Sequence, residues 1–171
     1  MNRQGSMTAR DISQVLTTVV VDQFEFQATW SASYGQGCIL WIRDSRNKVD
    51  FEPLGRFSHF EKRQVLEFVT RYVTNPDLRE EISKKRFQLH LETLSPRVLA
   101  EIDSLSFEEK RIAFRGLFNL DSVVDQFADL GWKRRLMAKK FHPDKGGSTQ
   151  SMTVINEGYE YLSEYIMNKK K

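Results

Sequence analysis

The sequence has little of what membrane, secreted and disulfide-rich proteins need. It contains one cysteine, Cys38, which excludes an intrachain disulfide and any zinc cluster built from several cysteines. Its longest apolar runs, residues 19–21 and 38–42, are far shorter than the about 20 residues of a membrane-spanning helix. The polar segment 1–10 lacks the apolar region of a signal peptide. We therefore expect a cytoplasmic protein without membrane contact, and Cys38 as a small core residue.

The sequence also lacks a strong net charge and the residue patterns of common catalytic sites. The net charge is +3, from 26 basic and 23 acidic residues, so the chain as a whole is not built to attract nucleic acid. No residues resemble a Ser/His/Asp or Cys/His nucleophile arrangement or a phosphate-binding glycine loop. His59 and His90 stand alone, without partners at metal-ligand spacing. We therefore expect neither an enzyme nor a bound metal or cofactor.

The first pattern that is present is a strand-like alternation of apolar residues. It covers residues 24–30, where Phe24, Phe26, Ala28 and Trp30 alternate with polar residues. A turn at residues 34–37 leads into the segment 38–43, so the two segments predict a β-hairpin. Residues 44–47 form a second predicted turn.

Beyond the hairpin the hydrophobic period becomes helical. From Phe60 onward the apolar spacing predicts a helix that ends before Asn75-Pro76. Residues 77–85 are consistent with another one or two helical turns, and residues 87–92 alternate again, which predicts a strand. The sequence thus indicates a small α+β domain over residues 11–104, with an antiparallel sheet and helices.

The remainder of the chain, residues 105–168, has the pattern of an all-α domain. The boundary region carries clear helix starts. Ser95 is a cap residue followed by Pro96 at the first helical position, which predicts a helix to about residue 105. Ser106 and Glu109 fit a capping box that opens a helix to about residue 120.

The most informative pattern is a helical hairpin near the end of the chain. Residues 130–141 form a predicted helix with Leu130, Met137 and Phe141 on one stripe, and Pro143 ends it. On the far side the helix carries a basic face, namely Lys133, Arg135, Lys139 and Lys140. A second helix follows, with a matching apolar stripe formed by Met152, Ile155, Tyr159, Leu162 and Ile166. The two helices predict an antiparallel pair with His142-Pro143-Asp144 at its tip.

This segment resembles the J-domain of DnaJ-type co-chaperones. The resemblance lies in the run LMAKKFHPDKGG, residues 136–147, and in INEGYEYL, residues 155–162, and it extends over about residues 110–166. In that family a basic helix, a His-Pro-Asp loop and a further helix bind a DnaK-type heat-shock chaperone and stimulate its ATP hydrolysis. The resemblance implies a J-domain at residues 105–168, with the N-terminal domain as an adaptor for an unknown client or partner.

The resemblance also implies which residues bind the chaperone. They are His142, Pro143, Asp144 and Lys145 at the tip, and Lys133, Arg135, Lys139 and Lys140 on the basic face. A carboxylate in a positive neighbourhood can pair with an arginine of the partner, and the basic face should speed the encounter with an acidic surface.

Five positions depart from the family pattern. Arg134 lies on the side expected to face the core, Gly131 costs its helix about 1 kcal/mol relative to alanine, and Gly158 replaces the usual alanine. Trp132 and Leu136 project on the basic side of the helix. Because tryptophan is usually buried within its own chain, we expect these two residues to pack against the N-terminal domain. The alternative is that they extend the partner-binding surface.

A nucleic-acid-binding protein is the alternative from another functional class. It would use the basic helical hairpin and an aromatic sheet formed by Phe24, Phe26, Trp30, Tyr34 and Trp41, with Arg43, Arg46 and Lys48 nearby. Aromatic residues on a sheet can stack on bases. Alternating aromatics more often line the core of a sheet packed on a helix, so nucleic acid is not the partner that we expect.

Overall fold

The structure, a computed structural model, describes residues 14–31, 37–46 and 50–169. In these residues a four-stranded antiparallel sheet is followed by six α-helices, so the fold is α+β, as expected. The chain divides into two compact units, Met1–Leu78 and Arg79–Lys171. This division lies before the boundary at residues 104 and 105 that the sequence indicated. The reason is that Phe87, Leu94, Leu99 and Ile102, which precede residue 105, pack in the same core as the C-terminal helices.

The first unit contains the sheet. Its strands are β1 (Val15–Val21), β2 (Phe24–Trp30), β3 (Cys38–Asp44) and β4 (Glu52–Phe57), and they lie in the order β1-β2-β3-β4. The predicted hairpin is confirmed as the antiparallel pair β2 and β3, in which Phe26 lies opposite Ile42. The sequence did not predict β1 and β4. Of the predicted turns, residues 34–36 and 47 lie outside the described residues.

The core of the first unit forms where the sheet meets a helix. Helix α1 (Lys62–Thr74) ends before Pro76, as predicted, and buries Val65, Val69 and Tyr72. The ring of Phe26 meets the ring of Tyr72 edge-on, with centroids 6.0 Å apart. Aromatic pairs in this geometry add about 0.5–1.5 kcal/mol to the stability gained from burial.

Most of the other apolar residues of β2 and β3 are also buried, whereas Trp30 at the end of β2 is half-buried. Phe24 and Trp41 are buried, and the Trp41 Nε1–H donates to Thr29 Oγ1 at 2.9 Å. Cys38 is 2% exposed, and burial raises the pKa of its thiol. Cys38 is therefore a core residue, as expected from its apolar neighbours.

The predicted strand at residues 87–92 is wrong, because these residues belong to helix α2 (Pro76–Thr93). Ser83 and Phe87, four residues apart, are buried, whereas Leu89 is 64% exposed. Ion pairs one helical turn apart, such as Lys84 with Glu80 at 2.6 Å, support the helix on its exposed side. Residues 87–92 alternate between apolar and polar side chains, but the burial of Phe87 together with Ser83 favours a helix.

The second unit contains the predicted C-terminal helices. They are α3 (Pro96–Asp103), α4 (Phe107–Leu117), α5 (Leu130–Phe141) and α6 (Thr149–Lys169). Ser95 caps α3 by accepting from the Val98 N–H. The Ser106 N–H donates to Glu109 Oε2 at 3.0 Å, which is the backbone half of the predicted capping box. Within the described part of the chain, no helix combines the length and the apolar character needed to cross a membrane.

A single hydrophobic core holds the second unit together. Its members come from α2 to α6 and include Phe87, Leu99, Phe114, Phe118, Met137, Phe141, Ile155 and Leu162. Each such side chain contributes about 1.5–3 kcal/mol when fully buried. Helix α6 passes close to α4 at Gly158, where a Cβ atom would lie 2.9 Å from Phe114 Cδ1 and 3.1 Å from Phe118 Cε2.

We predict that Gly158→Ala lowers the free energy of unfolding of the second unit by about 1–3 kcal/mol, because the added methyl group overpacks the contact with Phe114 and Phe118. The matched control is Gly116→Ala, since a Cβ at Gly116 meets nothing within 4 Å, and alanine favours the helix by up to about 1 kcal/mol. A urea titration followed by the methyl NMR signals of Ile155 measures both. Equal stability of the two variants would contradict this packing.

Candidate docking site at the tip of the helical hairpin

The candidate site begins with helix α5, whose two ends are fixed by local chemistry. The Asp129 carboxylate accepts from the Trp132 N–H at 2.7 Å and caps the first turn. His142 has an extended backbone with φ −63° and ψ 139°, as expected for a residue before proline. Met137 and Phe141 are buried along the inner stripe. The helix therefore ends immediately before the predicted tip.

The tip is a single 3₁₀ turn, Pro143–Lys145, held by the residue before it. The carbonyl oxygen of His142 accepts from the N–H groups of Lys145 at 2.8 Å and Gly147 at 3.1 Å. The His142 Nδ1 accepts from the Asp144 N–H at 3.2 Å. These bonds fix both the backbone and the ring of His142.

Each of the two glycines after the tip has a separate geometric role. Gly146 has φ +85°, a left-handed conformation in which glycine avoids the steric cost of a side chain. A Cβ atom at Gly147 would lie 1.8 Å from the Phe141 carbonyl oxygen. The chain can therefore turn back against the end of α5 only because Gly147 has no side chain.

The tip residues themselves face solvent. His142, Pro143, Asp144 and Lys145 are exposed, and the side chains of His142 and Asp144 are 50% and 85% exposed. Because Nδ1 of His142 accepts a hydrogen bond, the neutral ring carries its proton on Nε2. The tip thus presents an imidazole N–H and a carboxylate on a fixed backbone, which are groups suited to a directional contact with a protein surface.

The structure divides the predicted basic residues into those that are exposed and those that have partners inside the second unit. Arg135 and Lys139 on α5 are exposed, as predicted, and Lys145 is exposed at the tip. We call these three residues the basic strip. Lys133 and Lys140 have partners inside the second unit and therefore do not belong to it.

The prediction that Lys133 lies on the exposed basic face is wrong. Its side chain is fully buried, and its Nζ donates to the carbonyl oxygens of Phe118 and Asp125, both at 2.8 Å. The Phe87 ring lies 4.9 Å from the same nitrogen. Burial lowers the pKa of Lys133 to about 8, although the nearby Asp125 opposes this shift. Helical spacing within α5 cannot reveal this burial, because the Phe87 ring comes from α2 and the two carbonyl oxygens come from the connection after α4.

Lys140 is exposed along its stem but is bound at its end. Its Nζ donates to the carbonyl oxygens of Leu91 at 2.5 Å and Leu94 at 2.8 Å. These carbonyls lie at the C-terminal end of α2, where a cation is favoured by the helix dipole. Lys140 therefore links α2 to α5, and its ammonium group is hydrogen-bonded within the chain.

The expected partner of Trp132 and Leu136 was the N-terminal domain, residues 11–104; the structure packs both residues against the core of the second unit, to which Phe87 from that range belongs. Both are partly buried there. The Trp132 ring lies 6.1 Å from the Phe87 ring, and Lys84 Nζ lies 5.6 Å from the Trp132 ring. Phe87 and Lys84 lie in α2, so α2 packs against Trp132, and Phe87 belongs to the same compact unit as α5.

Arg134 lies on the core side of α5, where its guanidinium forms hydrogen bonds to α6. Its Nε and Nη2 both donate to Asn156 Oδ1, at 3.0 and 2.8 Å. Its guanidinium lies 5.1 Å from the Tyr159 ring centre. Arg134 therefore links α5 to α6 and helps to hold the tip between them.

Comparison with protein-family models, with curated proteins and with solved structures finds no match for this chain. The functional conclusion therefore depends on the sequence pattern of residues 136–147 and 155–162 and on the geometry of the site. The geometry brings together the tip residues, Arg135 and Lys139, and it assigns Lys133 and Lys140 to structural contacts.

We predict that the buried Lys133 makes the second unit more stable at alkaline pH. Its pKa is about 8 in the folded chain, below the ordinary 10.5, so the unfolded state binds more protons in this interval and the free energy of unfolding rises with pH. Relative to Lys133→Met, the wild-type chain should gain about 1–3 kcal/mol between about pH 7 and about pH 10. Urea titrations followed by the Ile155 methyl signals measure this difference.

The matched control for this pH dependence is Lys139→Met, which removes an exposed lysine from the same helix. Its stability relative to the wild-type chain should stay constant over that pH range. A constant difference for Lys133→Met as well would contradict the lowered pKa.

Proposed function

We propose that the chain is a J-domain co-chaperone that binds a DnaK-type heat-shock chaperone and stimulates its ATP hydrolysis. The observation that carries this proposal is the exposed His142-Pro143-Asp144 at a rigid bend between two packed helices, beside the basic strip. The second unit then corresponds to the J-domain with α2 and α3 added before it. The first unit serves as the adaptor for a client or partner.

The basic strip accounts for the first step, which is encounter. Arg135 and Lys139 lie one helical turn apart on α5, and Lys145 follows at the tip. An acidic surface on the chaperone would be attracted to this strip, with an effect that weakens as salt rises. Because these charges are exposed, they contribute more to the rate of association than to its final affinity.

The tip accounts for specificity and for the effect on hydrolysis. The Asp144 carboxylate can form a charge-assisted bond with an arginine of the chaperone, and the fixed imidazole of His142 adds a second directional contact. The chain stimulates hydrolysis if these contacts are stronger in the hydrolysis-competent state of the chaperone than in its resting state. The co-chaperone needs no nucleotide site of its own for this effect.

The nucleic-acid alternative gains no support from the sheet. Phe24, Phe26 and Trp41 are buried, so their rings are not available to stack on bases. Arg43 lies 2.6 Å from Glu25 in an ion pair, which reduces its use as a phosphate contact. Trp30 is half-buried, and Arg46 lies 2.8 Å from Asp44 in an ion pair. Tyr34 and Lys48, the other two residues of that interpretation, lie outside the described residues.

We predict that His142→Gln lowers the stimulation of ATP hydrolysis about tenfold or more. Glutamine keeps a polar side chain but loses the ring nitrogen that accepts from the Asp144 N–H, so the tip loses its fixed shape. Single-turnover hydrolysis by a DnaK-type chaperone, with the full chain added, measures the effect. His59→Gln, which changes an exposed histidine of the first unit, is the control. Equal, weak stimulation by all three chains, with salt-dependent nucleic-acid binding, would favour the alternative.

We predict that replacing both Arg135 and Lys139 by alanine raises the concentration needed for half-maximal stimulation about fivefold to tenfold and reduces its salt dependence. Folding should be unchanged because both side chains are exposed. Lys140→Ala removes charge from the same helix but should instead increase hydrogen exchange at the last turn of α2, since Lys140 binds the carbonyl oxygens there. An unchanged salt dependence in the double variant would contradict the role of the basic strip.

A further inference from the structure

A second surface of the same unit has no role in the proposed chaperone contact. It is a groove between α4 and α6 that encloses about 500 Å³. None of its lining residues belongs to the tip or to the basic strip. The groove has an apolar floor and one side lined by carboxylates, and we call it the acidic groove.

The floor of the acidic groove is aromatic. It contains Phe107, Phe114 and Tyr161. Phe114 is buried, but Phe107, the first residue of α4, is 69% exposed. Phe107 thus exposes aromatic area directly beside charged groups, and aromatic residues are enriched at protein interfaces relative to the rest of the surface.

The α6 side of the groove carries three carboxylates on one face of the helix. Glu157, Glu160 and Glu164 follow one another at intervals of three and four residues, so they lie in line along the groove. Glu157 lies 3.4 Å from the Lys110 Nζ, and that lysine also lies 3.5 Å from Asp103. Lys110 is therefore shared between Asp103 and Glu157.

The other two carboxylates keep their charge available. Among residues 14–31, 37–46 and 50–169, no cation forms an ion pair with Glu160 or Glu164. The groove as a whole therefore remains negative beside its apolar floor. Such a surface repels acidic peptides, nucleic acids and anionic lipid headgroups, and it attracts a cationic segment that also carries apolar side chains.

We propose that the acidic groove binds a basic amphipathic helix of a partner protein. The apolar face of that helix would cover Phe107 and Tyr161, and its lysines or arginines would pair with Glu160 and Glu164. A helix is favoured over an extended strand because the groove runs between two helices and offers side chains at helical spacing, whereas strand addition needs a free sheet edge. This assignment does not depend on the proposed chaperone contact.

The test uses a defined probe and the full chain. The probe is an amphipathic peptide of about 15 residues, built from leucines at helical spacing and lysines elsewhere. Calorimetry should show one peptide bound per chain, with an affinity that falls as salt rises. NMR shifts on binding should concentrate at Phe107, Tyr161 and the acidic face of α6.

Two sets of variants locate the binding. Phe107→Ala should weaken binding about fivefold or more, as should the double change Glu160→Gln with Glu164→Gln. The apolar control is Ile112→Ala, because Ile112 is 73% exposed on the same helix but does not line the groove. The charge control is Glu92→Gln with Glu101→Gln, which removes the same charge from exposed positions of the same unit.

The outcomes separate this inference from the proposed function. Binding that is retained in His142→Gln supports a site independent of the tip. Unchanged binding in the groove variants would overturn the inference, as would equal binding of a peptide with glutamates in place of lysines, or loss of binding in His142→Gln. A chain that binds the peptide in the groove but does not stimulate hydrolysis would refute only the co-chaperone proposal.

Discussion

The tight reversal between α5 and α6 is the constraint on which the candidate site depends. Pro143 prevents the helix from continuing, Gly146 takes a left-handed conformation, and Gly147 lies against the Phe141 carbonyl. On either side of this bend the helices are buried, at Phe141 in the core of the second unit and at Ser151. The tip is exposed and well defined because its neighbours on both sides are buried and leave it no room to collapse inward.

The sequence was most informative where one local cause determines the structure. Helix α5 begins and ends where its pattern predicted, because Pro143 and the apolar stripe act within the segment itself. The sequence failed where distant residues decide. Residues 87–92 alternate by composition, but the burial of Phe87 among helices makes them helical. Helical spacing predicted that Lys133 is exposed. The carbonyl oxygens of Phe118 and Asp125 that bind it lie in a connection without a periodic pattern.

The cations of α5 show how neighbours, rather than residue type, determine a role. Lys133 satisfies buried carbonyls, Lys140 completes the end of α2, Arg134 bonds across the hairpin, and Arg135 and Lys139 remain in solvent. A count of positive residues therefore overstates the charge that a partner can meet. The same holds for the acidic residues of α6. Glu157 forms an ion pair with Lys110, whereas Glu160 and Glu164 form none among the described residues.

The buried position of Cys38 has a practical consequence for studying this protein. Its thiol is the chain's single cysteine, is enclosed by the sheet core and has a raised pKa, so little thiolate forms and reagents reach it slowly. A cysteine placed on the surface would then react selectively with a maleimide dye or spin label, without any need to replace the native one. The wild-type background is thus already suited to distance measurements by fluorescence or electron paramagnetic resonance.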